Sequence, residues 1–116
     1  MNNEKIYEMK LSKIYSLLLN KCIRKGRTEE ELLEVMKWFT GYSESELKSL
    51  IISDISYSSF FTNATMLNPN RKKIKGKICG VNIDEIQEPL MKEIRYLDKL
   101  VDELAKGKSI NKILYS

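Results

Sequence analysis

The sequence predicts a mainly α fold: a small orthogonal bundle of about five helices, with a short extended or hairpin element near residues 73–83. Three observations predict it. Apolar residues recur at helical spacing through several separate stretches. Two capping boxes, Thr28 with Glu31 and Ser43 with Glu46, open consecutive helices joined by only two to three residues, which favours helices that cross over a long parallel bundle. The single run with a period of two is short: Ile74, Gly76 and Ile78 alternate with Lys73, Lys75 and Lys77.

Taken in order, residues 1–10 are polar and without a clear period, and read as a ragged lead-in or a short extended arm. Leu11, Ile14, Tyr15, Leu18, Leu19 and Cys22 then share one side of a helix that Gly26 stops. The second helix starts at the Thr28 box, with Leu32, Val35, Met36 and Phe39 as its buried stripe, Leu33 and Trp38 at its margins, and Gly41 as its end. A third follows from Ser43 through Leu47, Leu50 and Ile51, extending toward Asp54 and Ile55. Residues 57–64 form a short helix with Tyr57, Phe60 and Phe61 turned inward, and Asn68-Pro69-Asn70 is a turn. Gly76 and Gly80 suit a tight reversal in the lysine-flanked extended segment. Pro89 opens the last long helix, in which Leu90, Ile94, Leu97, Val101 and Leu104 recur at spacings of four and three. Gly107 stops it, and Ser109 caps a final turn through Ile110, Ile113 and Leu114.

Composition narrows the chemistry. A chain of 116 residues fits one domain, and 42% apolar with 31% charged residues suits a packed core rather than a disordered chain. No apolar run approaches the roughly 20 residues that span a bilayer, and Glu4 and Glu8 interrupt any signal sequence, so the expected place is the cytoplasm, with no membrane partner. There is no histidine, which excludes Ser-His and Cys-His nucleophile pairs and histidine metal sites. Two isolated cysteines, Cys22 and Cys79, make no zinc site; they read as thiols, with Cys22 as a small buried hydrophobe. No cofactor is implied. Catalysis would fall to Asp, Glu, Lys, Tyr or a borrowed group.

A resemblance emerges from Lys25-Gly26-Arg27-Thr28, Trp38 with Thr40-Gly41-Tyr42, Asn68-Pro69-Asn70-Arg71, Ile78-Cys79-Gly80-Val81, and the long run from Pro89-Leu90-Met91 through Ile94-Arg95-Tyr96-Leu97-Asp98-Lys99-Leu100 to Asp102-Glu103-Leu104-Ala105-Lys106-Gly107-Lys108. With these, the chain resembles DUF2200, a bacterial family of unknown function, over nearly its whole length. The resemblance implies a small, largely helical bacterial domain and no particular activity. The stretch after the Asn-Pro-Asn turn is more basic here than the family resemblance implies.

Three surfaces are candidates for function. Residues 1–70 carry nine basic and nine acidic side chains, and 78–116 carry six and seven, so the net charge of +4 originates in Arg71, Lys72, Lys73, Lys75 and Lys77. Such a patch could meet the phosphates of nucleic acid, but short basic runs are common and no nucleic-acid-binding motif accompanies this one, which favours a solvated loop or an edge strand protected by lysines. The seam of Leu90, Ile94, Leu97, Val101 and Leu104 could pair with a second copy, or pack within its own domain. Asn68, Asn70 and Arg95, beside Arg71, could hold a carboxylate or phosphate, although turn chemistry and a local Arg95–Asp98 pair account for the same residues. Glu85, Glu88 and Glu93 do not share a helix face and read as helix-start charges. Trp38 is either core or an anchor for a partner. The function expected from these features is a non-enzymatic interaction domain, self-associating through the seam. Nucleic-acid binding through 71–77 is the alternative, and an enzyme using carboxylates or arginine is the third class. No partner protein is identifiable.

Overall fold

In a computed structural model that describes residues 3–78 and 80–114, local capping and apolar spacing set most of the elements. The chain runs α1 (Asn3–Glu8), α2 (Leu11–Arg24), α3 (Glu29–Thr40), α4 (Glu44–Ile51), α5 (Tyr57–Thr62), a 3-10 turn (Pro69–Lys73), a hairpin of β1 (Lys77–Ile78) and β2 (Val81–Asn82), a second 3-10 turn (Ile83–Glu85), α6 (Pro89–Ala105) and α7 (Ile110–Leu114). The mainly α bundle and its hairpin are as the sequence predicts. The strands are antiparallel, pairing Lys77 with Asn82 and Ile78 with Val81.

Both capping boxes form. The Thr28 hydroxyl accepts from the Glu31 N–H at 3.2 Å, and the Glu31 carboxylate accepts from the Thr28 N–H at 3.0 Å. Ser43 and Glu46 repeat the exchange at 3.1 and 2.8 Å. Each box satisfies two N–H groups that the first helical turn would leave unpaired. Thr28→Ala or Ser43→Ala is expected to lower stability by about 0.5–2 kcal/mol. The check is a urea titration, in which the midpoint falls at unchanged slope; an unmoved midpoint would mean that solvent serves those groups as well as the box does.

Two local expectations are corrected. Residues 3–8 are helical rather than ragged or extended, because Ile6, Tyr7 and Met9 find the core, and α1 lies against α5. The third helix stops at Ile51 instead of reaching Ile55. The Ser53 hydroxyl bonds back to the Leu50 carbonyl at 2.6 Å, and the Ile55 carbonyl accepts from the Leu11 N–H at 2.9 Å, so the chain is drawn away to close the start of α2.

The core is one continuous cluster. α6 is its axis, packing on α2, α3, α5, α7 and the hairpin. Tyr57, Phe60 and Phe61 face inward as expected, and Phe61 meets Phe39 edge-on at 6.0 Å. Cys22 is buried and burial raises its thiol pKa, which makes it an inert apolar filler. Cys79 lies outside the described residues.

Candidate functional site

The end of α6 and the turn at 69–75 face each other across a hollow, and each is held in place by its own bonds. On one side, the Asn68 N–H donates to the Phe39 carbonyl at 3.0 Å, while its side chain accepts from the Asn70 N–H at 2.9 Å. Arg71 anchors the same turn: its guanidinium forks onto Glu93 through two bonds of 2.7 Å and donates to the Asn68 carbonyl at 2.9 Å. Both side chains of this pair are mostly buried, at 13% and 18% exposure. A planar fork suits a carboxylate better than a lysine would, and it locks both residues.

On the other side, α6 ends in a Schellman turn. The Gly107 N–H reaches the Leu104 carbonyl at 3.1 Å and the Lys108 N–H reaches the Glu103 carbonyl at 3.2 Å. This reversal throws Lys108 and α7 back beside the helix that has just ended. The hollow between the two sides has a volume of about 380 Å³. Lys73, Lys75, Lys108 and Lys112 line it, with Glu103 as its acidic residue. Trp38, Ile74, Leu100, Ile113 and Leu114 supply apolar wall. Lys108 pairs with Glu103 at 3.5 Å. Lys73 and Lys75 have no carboxylate partner among the described residues and are exposed. A second hollow adjoins, lined by Lys99, Lys106, Gly107 and Ser109, and shares Glu103, Lys108 and Lys112 with the first. A further hollow beside Tyr42 and Leu50 contains Glu46 as its charged residue and no basic one.

The linear patch read from the sequence is therefore divided by the fold. Lys73 and Lys75 turn into the cleft. Lys72 and Lys77 are exposed outside it, and the Lys77 carbonyl accepts from Lys99 Nζ at 3.2 Å. Arg71 leaves the patch altogether, because its charge is committed to Glu93. Glu93, dismissed on sequence as a helix-start charge, is the partner that positions the turn; 22 residues separate the two, and no local pattern signals such a pair. Lys108 and Lys112 carry no local signal of this site, since only the fold brings them to the same hollow as Lys73.

The polar-loop grouping of Asn68, Asn70 and Arg95 is not assembled. Asn68 sits with Arg71, Asn70 lines the cleft, and Arg95 lies elsewhere on α6, bonded to Asp98 at 3.1 Å. Two positions from Glu93 on a helix is about 200° of rotation, so Arg95 and Glu93 face different neighbours. Burial raises the Asp98 carboxyl pKa, opposed by Arg95 and Lys21. At Asp102 burial pushes in the same direction but is outweighed by bonds from Lys106 and Lys21, which hold it below the ordinary range. Each acidic side chain along α6 thus has a cation: Arg71 for Glu93, Arg95 for Asp98, Lys21 and Lys106 for Asp102, and Lys108 for Glu103.

The seam packs within its own domain: Ile94, Leu97, Val101 and Leu104 are fully buried in the chain's core and Leu90 is partly so. Trp38 is neither core nor protruding anchor. Phe39 takes the core position, and the roughly 100° step back along the helix puts the indole, half-buried, in the cleft wall. Among the described residues, no helix is long and apolar enough to cross a membrane, and no three Cys, Asp or Glu side chains are grouped to hold a metal ion.

Comparison with known proteins agrees with the fold and adds no activity. No curated protein matches the chain. The crystal structure of uncharacterized protein SP1917 superposes with a TM-score of 0.93 at 46% identity, over 97% of this chain and 93% of that one. The model of the family described as uncharacterized protein conserved in bacteria (DUF2200) matches residues 5–115. The chain belongs to the DUF2200 family.

Proposed function

We propose that this protein is a non-enzymatic binding domain whose basic cleft docks a polyanionic partner. One observation carries the reading: Lys73, Lys75, Lys108 and Lys112 line a single hollow, with Glu103 as the acidic residue in its wall. Cations gathered in a concavity raise the local concentration of anions more than the same charges spread over a convex face. A cytoplasmic setting would supply such partners.

The test separates the cleft from the linear patch. Heparin serves as a generic polyanion, with affinity measured by titration calorimetry at several salt concentrations. Lys73→Glu/Lys75→Glu is expected to weaken binding at least tenfold and to flatten the salt dependence. Lys72→Glu/Lys77→Glu makes the same charge change in the same segment but outside the cleft, and is expected to have a much smaller effect. Equal losses in the two variants would refute the cleft as the site, and so would no loss in either.

A further inference from the structure

The cleft contains one feature that a polyanion alone does not require. The indole of Trp38 lies in the wall of a basic hollow, together with Leu100, Ile113 and Leu114. A nucleobase offers a flat aromatic face to set against it, and base–aromatic stacking is the usual way in which single strands are held without sequence readout. Two features of the lining support this. Lys73 and Lys75 line the same hollow as Trp38 and have no carboxylate partner among the described residues, so cations and an aromatic side chain are offered together. The hollow holds about 380 Å³, the size of a small-ligand pocket and room for a single base.

From this arrangement we propose that the cleft binds single-stranded nucleic acid, with one base stacked on Trp38 and the adjoining phosphates on Lys73 and Lys75. Lys108 is already matched by Glu103 and adds little to the attraction. The proposal rests on the cleft being the polyanion site, and its experiment separates the failure of one from the failure of the other.

Trp38 is the chain's one tryptophan, so its emission reports on this wall alone. The protein is titrated with a ten-nucleotide oligothymidylate, with the matching duplex, and with heparin. Saturable quenching by the single strand, weak competition by the duplex, and little quenching by heparin are expected. Fluorescence anisotropy of a labelled strand then compares variants. Trp38→Leu is expected to lower oligonucleotide affinity about tenfold while heparin affinity holds, and Trp38→Phe, which keeps a ring, is expected to recover most of the loss. Retained heparin affinity shows that Trp38→Leu still folds. Several results would overturn the proposal: single strand and duplex binding equally, oligonucleotide binding without quenching, or Trp38→Leu weakening both ligands alike. Heparin binding with no oligonucleotide binding would end this inference and leave the polyanion cleft standing. Absence of binding to either would end both.

Discussion

Leu97→Ala is expected to destabilise the protein by about 2–5 kcal/mol, and the loss should not depend on protein concentration. Leu97 is fully buried in α6, the helix on which the rest of the fold packs. Its truncation removes apolar contact and leaves a hole that the surrounding helices close only in part. For a chain of this length, roughly 3–6 °C of melting temperature accompanies each kcal/mol, so a fall on the order of 10 °C or more is expected. Thermal melts over a hundredfold range of concentration distinguish the two roles that a heptad-like seam can have. An interface residue would give a transition that rises with concentration, since association stabilises by mass action. A melting temperature that depends on concentration in the wild type, and no longer does so in the variant, would move Leu97 from core to interface.

Gly41→Ala is expected to cost about 2–5 kcal/mol, and Gly26→Ala clearly less. Both glycines end helices in the left-handed region, at φ +79° and +80°, where a Cβ costs about 1–2 kcal/mol in backbone strain. At Gly26 nothing lies within 4 Å of the added atom, so that strain is the whole effect. At Gly41 the added Cβ would overlap the Met66 carbonyl oxygen and come within 2.7 Å of Met66 Cβ. Met66 is exposed, but its main chain is tethered two residues later, where the Asn68 N–H bonds to the Phe39 carbonyl. Overpacking of this kind adds about 1–3 kcal/mol. Chemical denaturation of the two variants side by side checks the ranking, and equal losses would mean that the 64–68 segment yields freely. Because this segment leads into the turn bearing Lys73 and Lys75, Gly41→Ala should also weaken heparin binding, whereas Gly26→Ala should not.

The helices were legible because their signals are local. A threonine three residues before a glutamate satisfies the N–H groups of a first turn wherever the helix ends up, so the starts of α3 and α4 could be read directly from Thr28 and Ser43. The spacing of Leu32, Val35, Met36 and Phe39 requires a buried face whatever buries it. Where a boundary depends on a distant partner, no local signal marks it. Nothing near Ser53 says that Ile55 will bond to Leu11, and nothing in 3–8 says that α5 will accept a helix beside it.

The charged residues divide in the same way. Sequence alone determined how many cations there are, that histidine chemistry is absent, that positive charge concentrates between residues 71 and 77, and that the seam of α6 must meet an apolar surface. Tertiary structure alone decided which surface that is and which charges remain open to a ligand. Arg71 lost its availability to Glu93, 22 residues away, and Lys108 reached the same hollow as Lys73 and Lys75 with Glu103 as its partner, because a Schellman turn folds α7 back on α6. Periodicity and capping act over three or four residues and are written in the chain. Ion pairing and concavity act through space between segments whose approach is set by the packing of the core, and no short stretch of sequence encodes that meeting.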